Sequence, residues 1–236
     1  MTTENNESRK IVIPGEIIVS GEDYLPGEGT EKKGKNIVAA RYGLAEESNR
    51  LVKVIALSGA YFPRGGNVVI GKVENITFNG WIINIGSAAN AFLSVSEYPR
   101  YVRSDEIEEV MSIGDMIVAK VLGARRKSID LTVKSRGLGK LTDGMIIEIN
   151  SNKVPRVIGK SGSMVNIIKE ETGCNITVGQ NGLIWLKGNS IEEELLAKKA
   201  IQFIIDRATT SGLTEKIQEW FKNEKKHLKK SKGDEE

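Results

Sequence analysis

The sequence predicts a multidomain protein that combines β domains with one α+β domain. Three observations lead to this prediction. Residues 11–62 and 64–140 contain short runs that are rich in β-branched residues and are separated by turn signals such as Gly and Pro. Residues 141–210 instead alternate strand-like runs with segments whose apolar residues recur at helical spacing. The composition, with 39% hydrophobic and 28% charged residues and a net charge of +3, is that of an ordinary globular protein.

Residues 1–63 are expected to form an N-terminal β domain with a sandwich or barrel-like arrangement. The runs "IVIPGEIIVSG" and "LVKVIALSGAYF" predict strands, and the loop "PGEGTEKKGK" between them is rich in glycine. These glycines do not form the dinucleotide-binding pattern G-x-G-x-x-G, because the position of the third glycine holds Lys32. No dinucleotide cofactor is therefore expected.

Residues 64–140 are expected to form a small closed barrel of the OB type. Five strand-like runs follow one another here, namely "RGGNVVIGKVENI", "GWIINIG", "NAFLSVSE", "GDMIVAKVLGA" and "KSIDLTVK". Closure into a barrel is favoured because it removes exposed sheet edges. The connection "RSDEIEEVMSIGD" predicts a short helical or irregular segment.

Residues 141–210 predict an α+β domain with the element order βααββα. Its strands are "MIIEI", "CNITV" and "LIWLK", and the turn "GQNG" between the last two contains the favoured Asn-Gly pair. Helices are predicted over "SMVNIIKEETG" and over "SIEEELLAKKAIQFIIDRA", the latter with Ser190 as its N-cap. Residues 211–236 predict a C-terminal helix and a charged tail. This helix either packs its apolar stripe on the body or serves as a basic arm for RNA or a partner.

The stretch "VIGKSGSMV" allows two interpretations. A nucleotide-hydrolase loop, G-x-x-x-x-G-K-[ST], requires a glycine where this chain has Val154. A G-x-x-G loop between two helices fits better, because its glycines let a nucleic-acid backbone approach and the second helix offers free N–H groups to phosphates. Such loops hold about four nucleotides of a single strand. The predicted RNA contacts are Arg156, Val157, Ile158, Gly159, Lys160, Ser161 and Gly162.

The composition argues against several other classes of protein. Cys174 is the only cysteine and His227 the only histidine, so the usual structural zinc sites are excluded. A nuclease should show a cluster of carboxylates or a pair of histidines, and neither is found. We therefore expect no catalytic residues, no metal and no cofactor. No apolar run approaches the roughly 18 residues that span a bilayer, and no secretory signal is visible, so a cytoplasmic protein is expected.

Two segments resemble known RNA-binding domains. The G-x-x-G loop in its βααββα context resembles a KH domain. The runs "GNVVIGKVENI", "GWIINIG" and "FLSVSE" resemble an S1 domain. Their order, preceded by "IVIPGEIIVSG", resembles the archaeal exosome RNA-binding cap subunits of the KH-containing kind over about residues 11–210. A related kind carries a zinc ribbon, which a single cysteine excludes.

This resemblance implies a non-catalytic role. Three copies of the cap subunit would sit on a ring of exoribonuclease subunits, bind single-stranded RNA at the pore entrance and feed its 3′ end to the ring for degradation or processing. The N-terminal β domain would dock on the ring. The alternative is a transcription or translation factor that uses the same S1 and KH domains to bind RNA.

The barrel departs from the broader S1 pattern at the positions that usually contact RNA. When the sequence is aligned on Gly80, the usual aromatic pair and histidine are replaced by Asn79, Ile82 and Ser94. The arginine expected before the last strand is replaced by Ser128. Base stacking at these positions is therefore not expected.

Other residues of the barrel are candidates for RNA contacts. Phe78 and Trp81 are aromatic side chains that would stack on bases, although Trp81 is at least as well suited to the core. The run Arg125, Arg126 and Lys127 is either a set of phosphate contacts or a solvated hairpin tip.

Overall fold

The computed structural model describes residues 10–103, 105–125, 128–208, 210 and 212–233, with residues 225–233 described by their backbone alone. The chain forms two compact units, which divide between Gly59 and Ala60. None of the described helices is long and apolar enough to cross a membrane.

The first unit contains two small sheets. Its described strands are β1 (Lys10–Val12), β2 (Ile17–Ser20), β3 (Leu25–Pro26), β4 (Thr30–Lys33), β5 (Asn36–Ala39), β6 (Gly43–Ser48) and β7 (Leu51–Ala56). One sheet has the order β1-β6-β7-β3 and the other the order β2-β5-β4. Their facing side chains form a small core of Val12, Ala39, Ala45 and Val54. The predicted β structure of the N-terminal region is confirmed.

The second unit begins with a closed five-stranded barrel, as predicted. Its strands are β8 (Val68–Thr77), β9 (Gly80–Asn84), β10 (Ala91–Ser94), β11 (Met116–Ala124) and β12 (Ile129–Thr132). The strand order is β12-β10-β9-β8-β11, and β12 pairs with β11 as well, which closes the barrel. The connection between β10 and β11 contains the short helix α1 (Ile107–Val110), and β13 (Gly139–Leu141) pairs with the outer edge of β11.

The α+β domain has the predicted βααββα order. Its elements are β14 (Met145–Glu148), α2 (Val154–Ile158), α3 (Ser163–Thr172), β15 (Asn175–Val178), β16 (Leu183–Lys187) and α4 (Ile191–Asp206). The sheet order is β14-β16-β15. Ser190 caps α4 as predicted, because its side chain accepts a hydrogen bond from the Glu193 N–H.

The C-terminal helix α5 (Leu213–Gly233) belongs to the core of the same domain. Leu213, Ile217 and Phe221 are buried there, and the Trp220 ring packs 5.5 Å from the ring of Phe203. The packing of the predicted apolar stripe on the body is confirmed for these side chains.

An ion pair connects the beginning of β11 to β13. Asp115 Oδ2 accepts hydrogen bonds from Lys140 Nζ at 2.6 Å and from the Ser112 N–H at 2.8 Å. Burial by itself raises the pKa of Asp115. The two hydrogen bonds outweigh burial and hold this pKa below its usual range.

Replacement of Asp115 with Asn is expected to destabilise the protein at neutral pH by on the order of 1 kcal/mol. Because the pKa of Asp115 is lower in the folded state than in the unfolded chain, the stabilisation is present above the unfolded pKa of about 4 and is lost as the pH falls through the folded pKa. Thermal unfolding of both proteins at about pH 7 and about pH 3 measures this effect. A difference in Tm of equal size at both pH values would contradict the prediction.

Candidate nucleic-acid interface

The G-x-x-G loop connects α2 to α3 in a compact turn. Gly159 follows α2 with a φ of 74°, Ser161 has a φ of 53°, and Gly162 precedes α3 with a φ of 80°. Positive φ values are unfavourable for most side chains and accessible to glycine. The path of the backbone therefore favours glycine at both ends of the loop.

The two loop glycines differ in their surroundings. A Cβ atom at Gly159 would lie 2.7 Å from both the backbone N and the Cβ of Met164, which is too close for van der Waals contact. A Cβ atom at Gly162 would meet nothing nearer than Asn166 Nδ2 at 3.9 Å. Gly159 is thus needed for packing on α3, whereas the space beside Gly162 is open.

The exposed side of this loop suits a phosphate backbone. The side chains of Lys160 and Ser161 are exposed, as is that of Arg156 on α2. Helix α3 begins at Ser163 and no side chain caps its first turn. The free N–H groups and the dipole of this helix favour an anion here, and Lys160 and Arg156 add positive charge.

One predicted RNA contact in this segment is wrong. Val157 is fully buried in the core of the α+β domain together with Met164 and Ile168. Val154 is buried as well and lies three residues earlier in α2, and residues at this spacing share one face of a helix. Val157 therefore supports the loop from below, while Ile158 is half-buried and is still a candidate for the floor of the groove.

The barrel candidates have different surroundings. Phe78 is 85% exposed in the turn between β8 and β9, where its ring is accessible for stacking. Trp81 is fully buried and its Nε1 donates a hydrogen bond to the carbonyl O of Met111 at 3.1 Å, so its predicted RNA contact is wrong. Arg125 is exposed, whereas Arg126 and Lys127 lie outside the described residues.

Phe78 and Arg125 lie at opposite ends of the barrel. Phe78 follows the last residue of β8. Arg125 follows β11, which runs antiparallel to β8 and continues past the first residue of β8, because Lys120 pairs with Val68. These two candidates therefore do not form a single site.

A contact that the sequence did not predict joins the α+β domain to the barrel. In the turn between β15 and β16, the Gln180 N–H donates to Val68 O at 2.8 Å, and the Val68 N–H donates to Gln180 Oε1 at 2.6 Å. Asn181 Oδ1 accepts from the Ile70 N–H at 3.2 Å, and Asn181 Nδ2 donates to Ile70 O at 2.7 Å and to Ile85 O at 3.0 Å. This turn is therefore bonded to the backbone of the barrel.

The turn occupies a strand edge that the barrel leaves open. Strand β9 pairs with β8 only from Lys72 onwards, so the N–H and C=O groups at Ile70 need other partners. The amide of Asn181 presents one acceptor and one donor to Ile70, as a neighbouring strand residue would. A Cβ atom at Gly179 would lie 2.9 Å from the Ile70 N, so this approach requires glycine.

Strand β16 also holds the segment that links the two domains. Trp185 Nε1 donates a hydrogen bond to the carbonyl O of Asp143 at 2.8 Å. Lys187 Nζ donates to Thr142 O at 3.3 Å and to Asp143 Oδ2 at 3.2 Å. The α+β domain is thus bonded to the linker at Thr142 and Asp143, in addition to the bonds between its turn and the barrel.

Family models match three successive segments of the chain. The exosome complex exonuclease RRP4 N-terminal region matches residues 11–46, the S1 RNA binding domain matches residues 63–134, and a KH domain matches residues 144–192. The S1 match covers the barrel, and the KH match covers the G-x-x-G loop and the strands around it.

Several archaeal proteins described as exosome complex component Rrp4 are similar to this chain. The protein from Methanosarcina mazei is 41% identical over 225 residues, which cover 95% of this chain and 86% of that protein. The protein from Pyrococcus furiosus is 39% identical over 230 residues, which cover 94% of this chain and 86% of that protein. The protein from Methanobrevibacter smithii is 40% identical over 213 residues, which cover 89% of this chain and 70% of that protein.

A solved structure has a similar fold. It is a crystal structure provisionally described as an exosome complex RNA-binding protein. It is 37% identical to this chain and superimposes with a TM-score of 0.64. The match covers 72% of this chain and 99% of that one.

Proposed function

Since this chain belongs to the Rrp4 family of exosome complex components, we propose that it is a non-catalytic RNA-binding subunit that caps an exoribonuclease ring in the cytoplasm. In this role it binds single-stranded RNA and presents 3′ ends to the ring for degradation or processing. Its S1 and KH domains are both RNA-binding modules.

The G-x-x-G loop is the observation that carries the RNA-binding part of this proposal. Its open side at Gly162 lies next to the exposed Lys160 and the uncapped beginning of α3. A phosphate backbone gains hydrogen bonds and charge neutralisation there, while no base is selected by the loop itself. Binding led by phosphates is expected to weaken steeply as the salt concentration rises.

The first unit offers a surface for docking on the ring. Three apolar residues form a row across one sheet, in which Leu44 of β6 pairs with Ile11 of β1 on one side and with Ile55 of β7 on the other. Ile11 is 56% exposed and Ile55 is 43% exposed, with Ile13 and Leu57 exposed nearby in the sequence. Exposed apolar groups in a continuous row are typical of protein–protein contact, and we assign this row to the ring subunits, with three copies of the chain on each ring.

Replacement of Ile55 with Asp is expected to prevent assembly with the ring, because it places a charge on an exposed residue at one end of the apolar row. The test is co-purification of ring exoribonuclease subunits with the tagged protein from its native source. The control is Lys53→Glu, a charge change at an ion-paired position of the same strand, which should reduce recovery less. Equal recovery of the ring with wild type and Ile55→Asp would contradict this docking surface.

A second measurement addresses the absence of catalysis. Labelled RNA incubated with the purified chain and either magnesium or phosphate should remain intact. Shortening of the RNA by the chain alone would overturn the non-catalytic role.

A further inference from the structure

The barrel carries an exposed aromatic residue for which the roles above give no reason. Tyr101 is 86% exposed, and the arginines on either side of it, Arg100 and Arg103, are exposed as well. In the part of the chain that the structure describes, neither arginine forms an ion pair. Two guanidinium groups without an ion pair and an aromatic ring are thus exposed within four residues of the connection between β10 and β11.

This segment is held in place by its neighbours. Val102 is buried in the barrel core, which fixes the position of the exposed residues on both sides of it. The Tyr98 ring packs 6.0 Å from the ring of Trp81, and the Glu106 N–H donates a hydrogen bond to Arg103 O at 3.0 Å. A segment that is already ordered loses little conformational entropy when a ligand binds.

The chemistry of the three side chains matches unpaired nucleotides. An exposed aromatic ring stacks on a base of any identity, and guanidinium groups bind phosphates through paired N–H donors. The positions that carry stacking residues in other S1 barrels hold Asn79, Ile82 and Ser94 here, and Trp81 is buried. Tyr101 and Phe78 are therefore the barrel's highly exposed aromatic rings among the described residues.

Acidic residues nearby limit the size of such a site. Asp105, Glu106, Glu108 and Glu109 follow Arg103 in the sequence, the last two in α1. Their carboxylates repel a long track of phosphates. The surroundings therefore favour one stacked base with its adjoining phosphates over a duplex.

We propose that Arg100, Tyr101 and Arg103 form a second contact for single-stranded RNA, in which Tyr101 stacks on one unpaired base and the arginines bind the adjoining phosphates. This inference rests on the proposed RNA-binding function and adds a site to it. Strand β10 ends at Ser94, which pairs with Gly80 at the end of β8 opposite to Val68, and the Tyr98 ring of the connection packs near Trp81 at this end. Strand β8 alone is about 30 Å long, and we therefore expect that a long RNA is needed to engage both this site and the KH loop.

RNAs of two lengths distinguish the proposed contact at Tyr101 from the contact at the KH loop. Fluorescence anisotropy of the full chain is measured with an unstructured RNA of about 20 nucleotides and with a tetranucleotide, which fills one KH clamp. Tyr101→Ala should weaken binding of the long RNA by about 5–100-fold, the range that loss of one stacked base produces, and should leave the tetranucleotide unaffected. Tyr101→Phe should keep wild-type affinity, and Arg103→Gln should weaken binding of the long RNA several-fold.

Ile113→Ala is the matched control. Ile113 is 63% exposed on the same connection between β10 and β11 but has no ring, so its removal should leave RNA affinity unchanged. All variants should unfold at the temperature of wild type, since the side chains are exposed. If Gly162→Asp weakens binding of the long RNA and Tyr101→Ala does not, the second contact is overturned and the proposed function stands. If wild type binds neither RNA, both are overturned.

Discussion

Replacement of Gly162 with Asp is expected to weaken binding of single-stranded RNA by about 10–100-fold while the fold is retained. The new carboxylate would stand in the open space beside the loop, where the proposal places the RNA phosphates. Hydrogen bonds to charged groups contribute about 1.5–3 kcal/mol, and their loss corresponds to this range of affinity. The left-handed conformation at Gly162 is one that Asp and Asn adopt more readily than other side chains do.

The matched control is Gly162→Asn, which has the same shape as Asp without its charge. Fluorescence anisotropy at two salt concentrations measures the affinity of each variant, and thermal unfolding verifies the fold. We expect Gly162→Asn to retain much of the wild-type affinity and Gly162→Asp to lose it. The difference in affinity between the two variants should become smaller at high salt, because salt screens the added charge. If Asp and Asn weaken binding equally, charge at this position is irrelevant and the loop does not contact phosphates.

Replacement of Asn181 with Asp is expected to destabilise the barrel–KH contact by about 3 kcal/mol. The substitution keeps the shape and the acceptor oxygen but removes both hydrogen bonds that Nδ2 donates, to Ile70 O and Ile85 O. Two carbonyl groups would then face a carboxylate without a donor between them, and unpaired polar groups of this kind cost about 1–3 kcal/mol each. A lower Tm and faster proteolysis between residues 134 and 144 are the expected results.

Gln180→Glu is the control for this prediction. It is also an exchange of amide for acid, one position earlier in the same turn. The described bond of the Gln180 side chain uses Oε1 as an acceptor from the Val68 N–H, and a carboxylate keeps that bond. Both variants therefore add one negative charge. Only Asn181→Asp also removes the donor of described hydrogen bonds. Equal Tm values for both would show that the Asn181 donor does not hold the domains together.

The order of elements was predictable because its signals are local. The βααββα order followed from the alternation of strand-like and helical runs, with Ser190 marking the beginning of α4. Closure of the barrel followed from five short strands in succession. The G-x-x-G loop was recognisable because its two glycines are three residues apart in a single turn between two helices.

Burial of single apolar residues was harder to predict. Val157 lies in a helix of five residues, which is too short for its periodicity to show which face points inward. Trp81 follows Gly80 in β9, and both are buried, so the alternation of a regular strand does not apply there. A register shift between Val73 and Asn75 on the neighbouring strand accompanies this irregularity.

The contact between the barrel and the KH domain could not be predicted from the residues of the turn that forms it. The turn "GQNG" satisfies the requirements of a hairpin by itself, and nothing in those four residues indicates a further partner. Asn181 finds that partner at Ile70, 111 residues earlier in the chain. Only the three-dimensional arrangement reveals that this amide completes the edge of a strand in another domain.

The packing of α5 sets the moment during synthesis at which the KH domain is complete. Ile217 and Phe221 are fully buried in its core, and α5 also contacts α3, the helix that begins directly after the G-x-x-G loop. Domains fold as units while the chain leaves the ribosome, so this one still lacks part of its core when the loop itself emerges. A chain that ends before Phe221 would carry the RNA-binding loop on a domain whose core is incomplete.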